Sequence, residues 1–128
     1  MFKHKQERIE MKKFVTLSTS GDLEIHEVSS SSEYEFLKNS VGGWIEAVPL
    51  RAGDLSGLTM WVNEEGKLTG LPGNIAATAV WVSSYGLTDV MVGNVVITGD
   101  DGLGETASLT DQDIEKIKQV VDQFSVLA

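Results

Sequence analysis

Short β-rich segments separated by turns constrain the fold of this chain more than any other feature of its sequence. Residues 13–18 carry residues with high strand propensity, and residues 23–28 alternate between apolar and polar. Typical turn residues, Ser20-Gly21-Asp22, lie between them. The two segments therefore predict a β-hairpin with one buried face. Three more strands are predicted at residues 44–48, 58–62 and 89–98.

A first helix is predicted immediately after a run of four serines. Ser32 and Glu35 have the spacing of a capping box, in which the serine oxygen accepts from a first-turn amide and the glutamate bonds back. The helix should cover residues 33–40. Gly42 should end it, because glycine adopts the left-handed conformation of a helix C-terminus without steric cost.

Two later segments also begin with helix-capping residues. Asn74 is the predicted N-cap of a helix at residues 75–82 that is apolar nearly all round and ends near Gly86. A helix of this composition packs into the body of a protein. Thr110 with Asp113 opens a final helix, which has one apolar stripe.

These elements predict an α+β protein with a mostly antiparallel sheet of about five strands and two or three packed helices. The 128 residues are enough for one small domain. We expect residues 1–12 to form a basic, flexible leader and residues 13–128 to form the domain. No residue window approaches the roughly 18 apolar residues that a membrane span needs, so the expected location is the cytoplasm, without membrane association.

The net charge of −9 is unevenly distributed along the chain. Residues 1–13 contain five cations and two anions, a balance of +3, so the remaining residues carry −12. Such an acidic body disfavours direct binding to duplex nucleic acid, which is bound mainly by lysine and arginine. It favours a basic protein surface as the partner. Self-association into a homo-oligomer stays open.

Catalytic signals are weak. The chain has no cysteine, which excludes thiolate nucleophiles and thiolate metal sites. His26 shares the polar face of its strand with Glu24, an arrangement that could orient a base, but a solvated strand face is the favoured interpretation. The acidic pairs Glu64-Glu65 and Asp100-Asp101 lack the ligand spacing of a calcium loop. We therefore predict no catalytic residue, no metal ligand and no cofactor.

The turn-rich stretch from residue 63 to residue 74 is the strongest candidate for a binding site. It contains Asn63 followed by the charged residues Glu64, Glu65 and Lys67, whose charges turn geometry does not require. Asn74 precedes a helix whose N-terminal amides can attract an anion. The stretch has neither the spacing of a Walker loop nor the three-glycine dinucleotide pattern.

Four sequence phrases occur in a fixed order: VGGWIEAV at 41–48, WVNEEGK at 61–67, GLPGN at 70–74 and DVMVGNVV at 89–96. Together they resemble a family catalogued as domain of unknown function 3846, which is met in bacteriophages, plasmids and their bacterial hosts. The resemblance covers residues 13–100. It implies an accessory protein of a mobile element with no agreed enzymatic activity. It also implies a shared surface around Gly42, Gly43, Glu46, Asn63–Lys67 and Asn74.

Two functions are compatible with these observations. The first is a non-enzymatic, acidic protein-binding module, which as a phage or plasmid protein would inhibit a host nucleic-acid-binding protein. The second is a module that binds or sequesters a small, nucleotide-like anion, with Lys67 as counter-charge and Trp44 or Trp61 as a stacking surface. We expect both tryptophans to be core residues instead. The predicted partner- or ligand-binding residues are Glu46, Asn63, Glu64, Glu65, Lys67 and Asn74.

Overall fold

The computed structural model describes residues 10–127, which form an α+β domain built on one antiparallel sheet. The strands are β1 (Met11–Leu17), β2 (Leu23–Ser29), β3 (Ile45–Pro49), β4 (Leu58–Asn63), β5 (Val95–Asp100) and β6 (Thr106–Ala107). The helices are α1 (Glu33–Val41), α2 (Ile75–Tyr85) and α3 (Asp111–Leu127), with one 3-10 turn at Ser30–Ser32. The predicted fold class is confirmed, with six strands instead of about five.

The strand order is β2-β1-β5-β4-β3, with the short β6 paired to β5. The predicted hairpin of β1 and β2 is confirmed, and its register pairs Val15 with Ile25. β1 also pairs with β5, and β4 pairs with both β5 and β3. The outer strands β2 and β3 therefore end the sheet at its two sides.

Each face of the sheet has its own apolar core. Successive residues of a strand point to opposite faces, so Val15 and Ile97 pack on one face while Phe14 and Val96 pack on the other. The larger core contains the buried residues of α2 and α3. The smaller core contains the buried residues of α1. Burial of these side chains provides the main stabilisation of the fold.

Most of the predicted helix boundaries are confirmed. Gly42 ends α1 in the left-handed conformation, with φ of 77°. The Asn74 side chain accepts from the Ala77 N–H at 2.9 Å and caps α2, which ends at Gly86. Thr110 and Asp113 exchange hydrogen bonds at 2.9 and 3.0 Å at the start of α3.

The capping box predicted at Ser32 and Glu35 is wrong, because the Ser32 side chain makes no capping hydrogen bond to α1. The serine run forms a 3-10 turn first, and Ser29 caps that turn by accepting from the Ser31 N–H. The 3-10 turn moves the cap three residues towards the N-terminus. Composition favours a cap in this run, but several serines compete for it.

The strand predicted at residues 89–98 is also wrong in its first half. β5 begins at Val95, and the residues before it form a loop. This loop makes one isolated bridge, between Gly73 and Val92, and Met91 is hydrogen-bonded to Asn74 and Thr78. Gly93 has φ of 75°, which interrupts an extended strand at that point. After β5, a short polar turn leads to β6, which the sequence did not predict.

The first strand starts at Met11, two residues before the predicted domain boundary. Lys12 is only 7% exposed, and its ammonium group lies 3.3 Å from the Glu33 carboxylate and 3.0 Å from the Thr106 carbonyl oxygen. Residues 11 and 12 are therefore part of the folded sheet. Residues 1–9 of the predicted leader lie outside the described residues. Between residues 10 and 127, no helix combines the length and apolarity needed to cross a membrane.

Candidate functional site

A cleft of about 290 Å³ lies at the β3 side of the sheet, on the face that carries α2. We call it the β3 cleft. Its apolar lining consists of Val48, Val62, Leu68, Trp81, Val90, Met91 and Val92. Its polar lining consists of Glu46, Asn63, Glu64, Lys67 and Asp89. A concave, mainly apolar surface with a few polar groups is typical of a binding site.

Three parts of the chain form the walls of this cleft. β3 and β4 contribute side chains of one strand face, among them Glu46 and Val62. The turn after β4 contributes Lys67 and Leu68, and Leu68 is 89% exposed. The loop after α2 contributes residues 89–92. Residues that are distant in the sequence therefore meet at one end of the sheet.

Asn74 holds the 89–92 wall in place. Its side-chain amide donates to the carbonyl oxygens of Leu17 at 3.0 Å and Gly93 at 2.8 Å. Its backbone N–H donates to the Met91 carbonyl oxygen at 2.9 Å. The residue is 1% exposed. Asn74 was predicted to bind a partner or ligand, but it lies beneath the surface and positions the cleft wall instead.

Four of the six predicted site residues line the β3 cleft, and two do not. Glu46, Asn63, Glu64 and Lys67 are in the lining. Glu65 is exposed on the adjacent turn, outside the cleft, where its carbonyl oxygen accepts from the Thr69 N–H. Asn74 is buried, as described above. The structure therefore brings together four of the residues that the sequence singled out. We call Glu46 and Glu64 the acidic rim of the β3 cleft.

Asn63 has a structural role within the lining. Its side-chain amide donates to the Val41 carbonyl oxygen at 3.2 Å, and its side-chain oxygen accepts from the Glu65 N–H at 2.8 Å. Both ends of the side chain are engaged within the protein. Asn63 therefore ties the end of α1 to the turn after β4.

Lys67 is paired with a carboxylate that sequence analysis did not select. Its ammonium group donates to Asp89, and the Asp89 side chain also accepts from the Val90 N–H at 2.7 Å. The hydrogen bond from Lys67 and then that from Val90 hold the pKa of Asp89 below its ordinary value of 3.8. The cleft thus carries three carboxylates against one ammonium group, which is itself neutralised by Asp89.

The apolar lining was largely missed by sequence analysis. Val90, Met91 and Val92 were assigned to a strand, and Trp81 to a helix packed into the body of the protein. Gly86 and Gly93, both with positive φ, bracket this segment. Two glycines seven residues apart are a signal that could have identified a loop.

The two tryptophans proposed as stacking surfaces lie away from this cleft. Trp61 packs against the core under α1, and its indole N–H donates to the Thr98 hydroxyl at 3.0 Å. Trp44 is 57% exposed, with the Lys38 ammonium 4.3 Å from its ring centre. The expectation of a core position is therefore wrong for Trp44, which precedes β3 instead of lying within it.

The predicted pair of Glu24 and His26 does lie on one side of β2, but its geometry is not that of a catalytic triad. The same ring nitrogen, Nε2, is 2.8 Å from the Thr16 hydroxyl and 3.9 Å from the Glu24 carboxylate. In a triad the acid orients one ring nitrogen while the other serves the nucleophile. The His26 ring also packs against Phe36. Within residues 10–127, no group of three histidine or acidic residues is placed to hold a metal ion.

The chain matches the family model described as Domain of unknown function (DUF3846) over residues 11–125. The resemblance inferred from the four phrases is thereby confirmed, and the match extends through nearly all of α3. Among curated proteins and solved structures, no match to the chain was found. The geometry of the β3 cleft is therefore the basis for assigning a function.

Proposed function

This chain belongs to the DUF3846 family, and from that premise we propose that it is a non-enzymatic binding protein whose β3 cleft takes a basic segment of a partner protein. In this proposal it acts in the cytoplasm as an accessory protein of a phage or plasmid. It occupies the basic surface of a host nucleic-acid-binding protein, where its carboxylates stand in for phosphate. The carrying observation is the combination of an apolar lining with an acidic rim.

The charge of the rim supports a cationic partner. Glu46 and Glu64 are exposed, and neither carboxylate forms an ion pair among the described residues. Lys67 is already paired with Asp89. A cation entering the cleft meets two free carboxylates, whereas an anion meets repulsion from both and must compete with Asp89 for Lys67.

The apolar lining supports recognition of side chains in addition to charge. Leu68 is 89% and Val90 57% exposed, and both border the cleft. Covering such side chains with a partner contributes about 25 cal/mol per Å² of apolar surface removed from water. Lysine and arginine suit this surface because their aliphatic stems cover apolar groups while their charged ends reach the rim.

The composition of the lining supports binding without catalysis. Among the described residues that line the β3 cleft there is no serine, threonine, cysteine, histidine or tyrosine. Nucleophilic catalysis by a hydroxyl or thiol activated by an adjacent base therefore has no candidate residue in this lining. Here the one amine, Lys67, is a charged donor to Asp89. A mainly apolar lining with a few charged side chains suits a binding surface.

A peptide-binding experiment with matched charge variants tests the proposal. The probe is a fluorescein-labelled peptide of twelve alternating lysines and valines, followed by fluorescence polarisation. Glu46→Gln with Glu64→Gln should weaken binding about tenfold, since each exposed ion pair contributes up to about 1 kcal/mol. The control, Glu35→Gln with Glu115→Gln, removes the same charge from exposed positions outside the cleft and should have a much smaller effect.

Three results would contradict the proposal. An equal loss of peptide affinity in the two double variants would mean that binding depends on the overall charge of the protein and not on the cleft. Binding that does not weaken between about 50 and about 200 mM salt would exclude a charge-based partner. A rise in Tm with millimolar ATP or a cyclic dinucleotide, in the absence of peptide binding, would favour the nucleotide-like anion as the ligand.

A further inference from the structure

We propose that the partner segment binds in an extended conformation along the free edge of β3 and adds a seventh strand to the sheet. This inference rests on the proposed function and specifies how the partner is held. Strand addition supplies backbone hydrogen bonds for affinity, while alternate side chains of the added strand supply specificity.

Hydrogen bonds at both ends of the β3–β4 ladder fix which backbone groups point outward. Before β3, the Glu64 N–H donates to the Trp44 carbonyl oxygen at 2.9 Å. After β3, the Leu50 N–H donates to the Leu58 carbonyl oxygen at the same distance. Hydrogen-bonded and non-bonded pairs alternate along an antiparallel ladder. The even-numbered residues of β3 therefore bond to β4, and the odd-numbered residues point their N–H and C=O groups to the free edge.

The open part of this edge is short and well defined. The outward N–H and C=O groups of Ile45 and Ala47 have no hydrogen-bond partner among the residues that the structure describes. Pro49 closes the edge, because it has no N–H and its carbonyl oxygen accepts from the Tyr85 hydroxyl. Two donors and two acceptors thus remain for an added strand.

The same strand lines the β3 cleft with its other residues. Glu46 and Val48 are in the lining, whereas Ile45 packs against the core under α1. A residue directly opposite Ile45 or Ala47 in an added strand shares their face of the sheet. The residues between lie on the cleft face, beside Glu46. Charge complementarity therefore places the lysine or arginine side chains of the segment at these intervening positions.

The opposite side of the sheet also has an open edge, but no such cleft. By the same alternation, Ile25 of β2 points its N–H and C=O groups away from β1, since the Ser30 N–H bonds to the Glu10 carbonyl oxygen. The concave region beside β2 is formed by polar residues, including Thr16 and Asn39, with Leu17 as its one apolar residue among those described. The β2 edge therefore offers backbone groups without the apolar lining, and it serves as an internal control.

Ala47→Pro tests the proposal, because it removes one outward N–H and none of the N–H groups in the β3–β4 ladder. Proline is tolerated at outward positions of edge strands, and Pro49 already occupies the next such position in β3. We expect the Lys–Val peptide described above to bind at least about tenfold more weakly, with a Tm close to that of the parent protein. Ile25→Pro, at the β2 edge, should leave the affinity unchanged.

Two backbone-methylated forms of the peptide test the same contact without changing the protein. In an antiparallel added strand, methylation of the valine nitrogens removes the N–H groups that face Ile45 and Ala47, and it should abolish binding. Methylation of the lysine nitrogens removes those that point away, and it should be tolerated. Because the methylated peptides are tested on the unchanged protein, they test strand addition even if Ala47→Pro fails to fold.

The outcomes separate the binding mode from the proposed function. Unchanged affinity in Ala47→Pro, with loss in Glu46→Gln/Glu64→Gln, would overturn strand addition and leave the cleft as the binding site. Loss of peptide affinity in Ile25→Pro alone would place the added strand at β2. That result would overturn both strand addition at β3 and the β3 cleft as the binding site. Analytical ultracentrifugation could show that the protein is a dimer and that Ala47→Pro dissociates it without changing peptide affinity. A second copy of the chain would then occupy the β3 edge, and addition of a partner strand there would be overturned.

Discussion

Asn74 joins three separate parts of the chain through one buried side chain. It caps α2, bonds to the end of β1 and bonds to the loop that forms one wall of the β3 cleft. Each bond satisfies a backbone group that cannot reach water. A buried amide in this position fixes both the fold and the shape of the cleft.

We expect Asn74→Ala to lower the free energy of unfolding by about 3 kcal/mol. The substitution removes an N-cap and leaves the carbonyl oxygens of Leu17 and Gly93 without their buried donor. Asn74→Ser keeps a capping oxygen but not the amide donors. Its free energy of unfolding should therefore lie between that of the parent protein and that of Asn74→Ala. Urea unfolding measures all three proteins. A loss below about 0.5 kcal/mol in Asn74→Ala would show that the site relaxes without cost.

The Lys67–Asp89 pair should make a small contribution to stability that depends on pH. The pKa of Asp89 is lower in the folded protein than its ordinary value of 3.8. Its stabilisation is therefore present above pH 3.8 and is lost as the pH falls through the lower, folded value. Both side chains are more than a third exposed, so the pair contributes at most about 1 kcal/mol.

Asp89→Asn should accordingly lower Tm slightly at neutral pH and have no effect in strong acid. Thermal unfolding of both proteins between pH 2 and pH 7 gives the comparison. Asp54→Asn is a suitable control, because Asp54 is exposed and forms no ion pair among the described residues. A difference between Asp89→Asn and the parent that persists at pH 2 would contradict this account.

At the scale of elements, local signals predicted the helices better than the strands. The caps at Asn74 and at Thr110 depend on residues within one turn of the helix, so their side-chain bonds follow from the sequence. The segment 89–94 has the composition of a strand, yet it forms a loop. Its backbone is held by the hydrogen bond from the Asn74 side chain to Gly93 and by the bridge between Val92 and Gly73. Those partners are distant in the chain, so the local composition of the segment does not predict the contacts with them.

The same distinction explains how much of the site could be predicted. Glu64 and Lys67 were selected because turn geometry does not require their charges, and Glu46 was selected from the family resemblance; all three line the β3 cleft. Asp89 was missed, because only tertiary structure brings it to Lys67. Asn74 was selected for its position before a helix, but whether an N-cap faces solvent or core depends on what packs over it.

At the scale of the whole molecule, the charge imbalance should make stability depend on salt. The chain carries 19 acidic and 10 basic residues, and mutual repulsion among like charges opposes the compact state. We expect Tm to rise as sodium chloride increases from about 20 to about 300 mM, because the Debye length falls from roughly 20 Å to below 10 Å. A Tm that falls over this range would show that attractive pairs outweigh the repulsion.

The position of β1 between β2 and β5 has a consequence for synthesis of the protein. Val15 pairs with Ile97 across most of the chain, and pairings between such distant residues form slowly. While the chain is still emerging from the ribosome, the β1–β2 hairpin has no partner for the other edge of β1 and no α3 to cover its apolar face. The nascent protein therefore presents an unpaired edge of β1 to other chains until β5 has been made, and rapid translation of residues 30–100 shortens that exposure.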